Sequence, residues 1–174
     1  ESINRVLETL KRFKEYCSSY GVERILSAAT SAVRESPNGK ALINQIREEV
    51  GFQIELISGS EEARLIYLGV LSGMDLENRS HIILDIGGGS TEIILANSED
   101  TRALTSARIG AVRLKNDFFD DEPLNSSRIE FLKTFITGSL EPSIGKIKKR
   151  IKKDETISMI ATSGTAISLG NLIS

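Results

Sequence analysis

Apolar positions along the chain follow two periods. Ile3, Val6, Leu7, Leu10 and Phe13 recur at helical spacing, which predicts an amphipathic helix over residues 2–19, ended by Gly21. "VERILSAAT", from Val22, reads as a strand with small residues at its end, and "SPNGK" marks a turn. Leu42, Ile46 and Val50 give a second helical face closed by Gly51, and "FQIELI" a short strand. After "SGS", Ala63, Ile66, Tyr67, Val70 and Leu71 form a third helical face. Helix, strand, helix, strand, helix is the order of a parallel α/β unit.

The texture changes at Arg79. "HIILDI", "TEIILA" and "TRALTSARI" are strand candidates joined by short turns, as in a meander. From about Ser127 to Lys153, Ile129, Leu132, Phe135, Ile136, Leu140, Ile144, Ile147 and Ile151 mark one long helical face, which Pro142 is expected to bend or split. "ISMIAT" is a further strand, "SGT" a turn, and "AISLGNLI" the start of a helix. This reading places a domain boundary near residue 79, giving segments 1–78 and 79–174. The chain has no initiating Met, opens directly on a helix and stops about two turns into its last one. The expectation is therefore a piece of a longer protein.

Composition narrows the class. Hydrophobic residues make up 40% of the 174 positions and charged residues 26%, as in a soluble globular protein. A net charge of −2 argues against a nucleic-acid partner. One cysteine, Cys17, excludes an internal disulfide and suits a reducing compartment. No apolar run is long enough to span a bilayer, and no signal peptide precedes the first element, so the expected location is cytoplasmic, without a membrane partner.

The candidate chemistry centres on "ILDIGGGSTEIIL", Ile83 to Leu95. A dinucleotide fingerprint or Walker loop needs a helix straight after its glycines, but here a strand pattern follows and the Walker lysine is absent. A two-residue turn at Gly88-Gly89 pairs Gly87 with Ser90, Ile86 with Thr91 and Asp85 with Glu92. Opposed residues share a face about 5 Å apart, so the two carboxylates repel unless a cation stands between them. A hard cation such as Mg²⁺ takes one or two carboxylates plus phosphate. The amides of Gly87, Gly88 and Gly89 could face phosphate oxygens, with the Ser90 and Thr91 hydroxyls as further donors. The competing reading is a plain hairpin with solvated acids, for which three glycines are more than is needed.

Other residues carry two readings each. Ser58 and Glu61 fit a capping box; Glu62 is not needed for it and, if it faces the cleft between the domains, could serve as general base for a water. Arg34 follows a strand end and is either a phosphate grip or a surface arginine. Thr162, Ser163, Gly164 and Thr165, at a strand-to-helix turn, could face phosphate or a nucleotide, or be an ordinary capped turn. "KIKKRIKK", Lys146 to Lys153, with six basic residues, is a solvated helix face or a polyanion track. His81 and Cys17 have no clustered partners and receive no role.

"ATSAVRESPNG", "ELISGSEEARLIYLGV", "ILDIGGGSTEIIL", "IGAVRL" and "IATSGTA" occur in the order seen in the exopolyphosphatase / guanosine pentaphosphate phosphohydrolase family, and the chain resembles it over nearly its whole length. The resemblance implies an α/β, ribonuclease H-like fold of the actin-type ATPase superfamily, here partial, with two incomplete halves around a cleft. It implies hydrolysis of a terminal phosphoanhydride in polyphosphate or guanosine pentaphosphate, with Mg²⁺ and often stimulation by K⁺, and a homodimer at full length. By resemblance, Glu62 is the catalytic base, Asp85 and Glu92 are the metal-linked acids, and Arg34 grips phosphate. The family's first phosphate loop, of the type D-x-G-S-N, has no counterpart here. Its G-x-G-G-T-A loop is Ala161-Thr162-Ser163-Gly164-Thr165-Ala166, and its "GCVR" is Gly110-Ala111-Val112-Arg113. The expectation is a phosphohydrolase core with little activity as an isolated piece. The rival readings are a non-catalytic polyphosphate or alarmone sensor and a kinase or ATPase of the same superfamily.

Overall fold

The computed structural model describes residues 1–119 and 125–173. The chain divides into two compact units, Glu1–Ser58 and Gly59–Ser174.

The first unit contains α1 (Ser2–Ser19), β1 (Ser27–Ala29), α2 (Ser31–Arg34), α3 (Gly39–Glu49) and β2 (Ile54–Leu56). Helix α1 ends as read from the sequence. Gly21 takes a positive φ of 62°, the Val22 N–H bonds the Cys17 carbonyl and the Gly21 N–H the Ser18 carbonyl, which closes the last turn in a Schellman motif. The core joins Leu7 of α1 to Ile46 of α3, with Val50 and Phe52. Strands β1 and β2 pair in parallel, Ser27 beside Ile54 and Ala29 beside Leu56. The strand expected from Val22 is thus realised only over Ser27–Ala29: its one partner is three residues long, and Ile25 and Leu26 remain exposed.

The second unit contains α4 (Gly59–Gly73), β3 (Ser80–Ile86), β4 (Thr91–Ala96), β5 (Thr101–Ala107), α5 (Ala111–Phe118), α6 (Ser126–Lys148), β6 (Ile157–Thr162) and α7 (Ser163–Ile173). Its sheet has the order β5-β4-β3-β6: an antiparallel meander with β6 added in parallel beside β3. Side chains alternate between faces. Ile83 and Ile94 pack with Ala63, Tyr67 and Val70 of α4, while Ile93 and Leu95 pack with Ile147 of α6. Covered on both faces and flanked on both edges, β4 is buried throughout, which is why it reads as a continuous apolar run apart from Thr91 and Glu92.

The packing of α4 explains where the units divide. The alternating pattern assigned this helix to segment 1–78, but its apolar stripe lies on β4 and β5, so the compact units part at Ser58/Gly59. Two further differences concern helices. Helix α6 is continuous through Pro142 and is not split there, although proline supplies no N–H to the helix. Helix α5 was not foreseen in "AVRLKNDF"; its apolar positions are few, and none is fully buried. Its Phe118 packs against Phe131 and Phe135 of α6, with centroids 5.8 and 4.8 Å apart.

Candidate functional site

The glycine hairpin has the register counted from the sequence. Asp85 pairs with Glu92 and Ile86 with Thr91, and the Gly87 N–H donates to the Ser90 carbonyl at 3.0 Å. What holds the loop is α5. The first N–H groups of a helix lack partners within it. Here Ala111 N–H donates to the Gly87 carbonyl at 2.9 Å, and those of Val112 and Arg113 to the Gly88 carbonyl at 3.0 Å. Arg113 Nε adds a bond to the Gly89 carbonyl at 3.1 Å. The loop's carbonyls are therefore committed to α5. The amides of Gly88 and Gly89 have no acceptor among the described residues, which leaves them available to an anion.

The two acids differ in environment. Glu92 is 1% exposed, and its Oε1 accepts from the Ser106 hydroxyl at 2.7 Å. Burial pushes the Glu92 carboxyl above the ordinary carboxylate range; hydrogen bonds from Ser106 and Ser90 oppose the rise, and the charges of Glu62 and Asp85 add to it. Asp85 is half-buried and accepts at Oδ2 from the Thr162 hydroxyl at 2.7 Å. Together with Thr162 and the Ile66, Gly69 and Gly73 positions of α4, Asp85 lines a cavity of about 490 Å³.

Glu62 stands in the first turn of α4, within electrostatic reach of Glu92. Its neighbour Glu61 makes a two-pronged pair with Arg64, at 2.7 and 2.8 Å. The Thr91 hydroxyl is buried and donates to the Ile109 carbonyl at 2.7 Å, so it fastens the hairpin to the β5–α5 turn instead of offering a donor to phosphate. Ser90 is likewise buried, turned to Glu92. Ser163 opens α7 with φ 73°, and its hydroxyl donates to the Ile86 carbonyl at 2.9 Å, which ties this turn to the hairpin. Gly164 and Thr165 follow in the first turn of α7. Arg34 ends α2 in the first unit, and its guanidinium donates to the Ile57 carbonyl at 2.9 Å. Ser106, the hydroxyl partner of Glu92, was not among the expected site residues; Thr162 was expected to face phosphate or a nucleotide, and its hydroxyl donates to Asp85.

No group of three or more His, Cys, Asp or Glu side chains able to hold a metal is present among the described residues. Two facing carboxylates, one of them lining a cavity, do fit an ion such as Mg²⁺ that takes its other ligands from phosphate and water.

The second unit is thus a mixed α/β layer, an antiparallel meander with a parallel fourth strand that carries the glycine hairpin at the end of its first two strands. Comparison with known proteins is more specific. The model of the Ppx/GppA phosphatase family matches residues 1–173, and the chain belongs to that family. It is 30% identical over 169 residues to exopolyphosphatase 1 of Mycobacterium leprae, covering 97% of this chain and 49% of that protein. It is 38% identical over 122 residues to a bifunctional 3-dehydroquinate synthase/phosphatase of Fusobacterium nucleatum, covering 68% of this chain and 18% of the relative. An exopolyphosphatase crystal structure from Cytophaga hutchinsonii superposes with a TM-score of 0.87 at 31% identity, over 98% of this chain and 53% of that one. The chain thus spans about half, or less, of the length of these relatives. No helix among the described residues is long and apolar enough to cross a membrane.

Proposed function

We propose that the glycine hairpin is the phosphate cradle of a phosphoanhydride hydrolase acting on the end of inorganic polyphosphate or of guanosine pentaphosphate. One observation carries this reading: the loop's carbonyls are taken up by α5, while the amides of Gly88 and Gly89 are left beside Asp85 and Glu92. Such amides bind phosphate oxygens without deprotonation or rearrangement. Two similarities support the substrate class: the exopolyphosphatase 1 of Mycobacterium leprae, and a guanosine-5'-triphosphate,3'-diphosphate pyrophosphatase of Photobacterium profundum that is 30% identical over 144 residues, covering 83% of this chain and 29% of that protein.

In the proposed reaction Glu62 orients a water for in-line attack on the terminal phosphorus and accepts its proton. The amides of Gly88 and Gly89 hold the terminal phosphate, and the first turn of α7, with Gly164 and Thr165, holds the adjoining one. A Mg²⁺ ion, when bound by Asp85 and Glu92 together with phosphate oxygens, offsets negative charge on the reacting group. No step is assigned to Arg34. The location that goes with this activity is the cytoplasm, and the partner a second copy of the full-length protein.

The test is phosphate release with Mg²⁺ from both substrates, by this chain and by a version extended to the relatives' length. The extended wild type is expected to release phosphate and this chain little or none. Glu62→Gln in the extended protein is expected to lower turnover by about 10²–10⁴-fold with substrate affinity little changed. Equal loss of affinity and turnover would remove Glu62 from the role of base. Tight substrate binding without release by any version would favour a sensor.

A further inference from the structure

Four residues stand in one row across the whole sheet of the second unit. Ser106 on β5 pairs with Glu92 on β4, Glu92 with Asp85 on β3, and Asp85 with Thr162 on β6. Opposed residues share a face. By alternation this is the face of Ile83, Ile94, Leu104 and Ile160, the row two residues along, which packs beneath α4. That neighbouring row is apolar from edge to edge. In this one, two carboxylates fill the middle and two hydroxyls the ends.

Both hydroxyls donate inwards at 2.7 Å, Ser106 to Glu92 Oε1 and Thr162 to Asp85 Oδ2. Each thereby takes one oxygen of its neighbour from the flank. A carboxylate held this way loses its freedom to rotate, and its charged form is stabilised by the donor. Two like charges placed opposite each other in a sheet repel, so either carboxylate, without its hydroxyl partner, would swing away from the other.

We propose that Thr162 and Ser106 are positioning residues, which pin Asp85 and Glu92 from the two sides and leave the second oxygen of Asp85 for a divalent cation. The proposal rests on the reading of the hairpin as a phosphate and cation site. The two ends are unequal. Thr162 and Asp85 line the cavity and are reachable, whereas Glu92 is buried and also receives a bond from Ser90. Thr162 therefore carries the larger share. Partners that orient metal ligands typically alter metal affinity about 10–100-fold when removed.

The experiment titrates the 174-residue chain with Mn²⁺ alone, followed by electron paramagnetic resonance, with Asp85→Ala locating the site. Thr162→Val is expected to bind Mn²⁺ about tenfold more weakly, Thr162→Ser within about twofold of wild type, and Ser106→Ala to fall between them. Thermal unfolding of each variant shows that it is folded; Thr162→Ala replaces Thr162→Val if the latter is not. Unchanged Mn²⁺ affinity without the Thr162 hydroxyl overturns the proposal, as does a wild type whose Asp85 binds no Mn²⁺. Phosphate release is scored separately, in the extended protein. Hydrolysis there, with Thr162-independent Mn²⁺ binding, sinks the row and leaves the hydrolase; Thr162-dependent binding without hydrolysis does the reverse.

Discussion

Two turns of the second unit are built from small residues for opposite reasons. At the glycine hairpin the constraint is contact. Gly110 has an ordinary extended backbone, with φ −158° and ψ 165°, that any residue can adopt. A Cβ there would lie 2.5–2.6 Å from backbone atoms of Gly88 and Gly89. At the β6–α7 turn the constraint is conformation. Ser163 takes φ 73°, a region that disfavours side chains, and its hydroxyl bond to Ile86 offsets part of that cost. A polar residue holds this strained position by anchoring itself. A glycine required by packing has no substitute, whereas a position with positive φ can be held by a side chain with a local partner.

The largest effect should come from Gly110→Ala. The clash is with the backbone of Gly88 and Gly89, which cannot swing aside as a flexible side chain would, so the hairpin and α5 must separate, and a loss of about 3 kcal/mol or more is expected in urea unfolding. A loss below about 1 kcal/mol would mean that the two segments slide apart freely.

An intermediate effect should follow from loosening β6 at its other end. There Glu155, just before β6, is gripped by Arg102 of β5 at 2.8 and 3.0 Å and by the Lys152 N–H at 3.0 Å, with Ser80 of β3 completing the clasp. Arg102, first of all, holds the Glu155 carboxyl down to about 2. A depressed carboxyl contributes stability above its unfolded value, and that contribution is lost as pH falls from the ordinary carboxylate range towards about 2. Arg102→Leu should therefore unfold more easily than wild type at pH 6, with the gap narrowing as pH drops to 3. A gap independent of pH would assign the effect to packing alone.

The smallest effect should be that of Ser163→Gly. Relief of the left-handed strain, about 1 kcal/mol, is set against a lost hydrogen bond and a more flexible unfolded chain, each of similar size. The expected change is within about 1 kcal/mol of zero by urea titration. A loss above about 2 kcal/mol would show that the Ser163 hydroxyl holds the turn more firmly than its conformation opposes it.

What could be read in advance follows the range of the interactions. The pairing of Asp85 with Glu92 was legible because a two-residue turn sets register by counting. Helices α1, α3 and α4 were legible because each has one apolar stripe. Helix α5 was not, since its first turn is stabilised by carbonyls more than twenty positions earlier in the chain. For the same reason the roles of Thr162 and Ser106 stayed hidden. Thr162 meets Asp85 only because β6 returns beside β3 after a long crossover, a register that no local pattern encodes. Thr91 misled in the other direction: a hydroxyl beside glycines suggests a phosphate donor, but the Ile109 carbonyl claims it.

The union of the glycine loop with α5 also has a signature in hydrogen exchange. Amides in the first turn of a helix ordinarily trade their protons freely with solvent. Those of Ala111, Val112 and Arg113 are bonded to the loop and can do so only when it lifts. Loop and helix thus open as a single unit, and the protection of these three amides is a built-in gauge of how often the hairpin leaves its place.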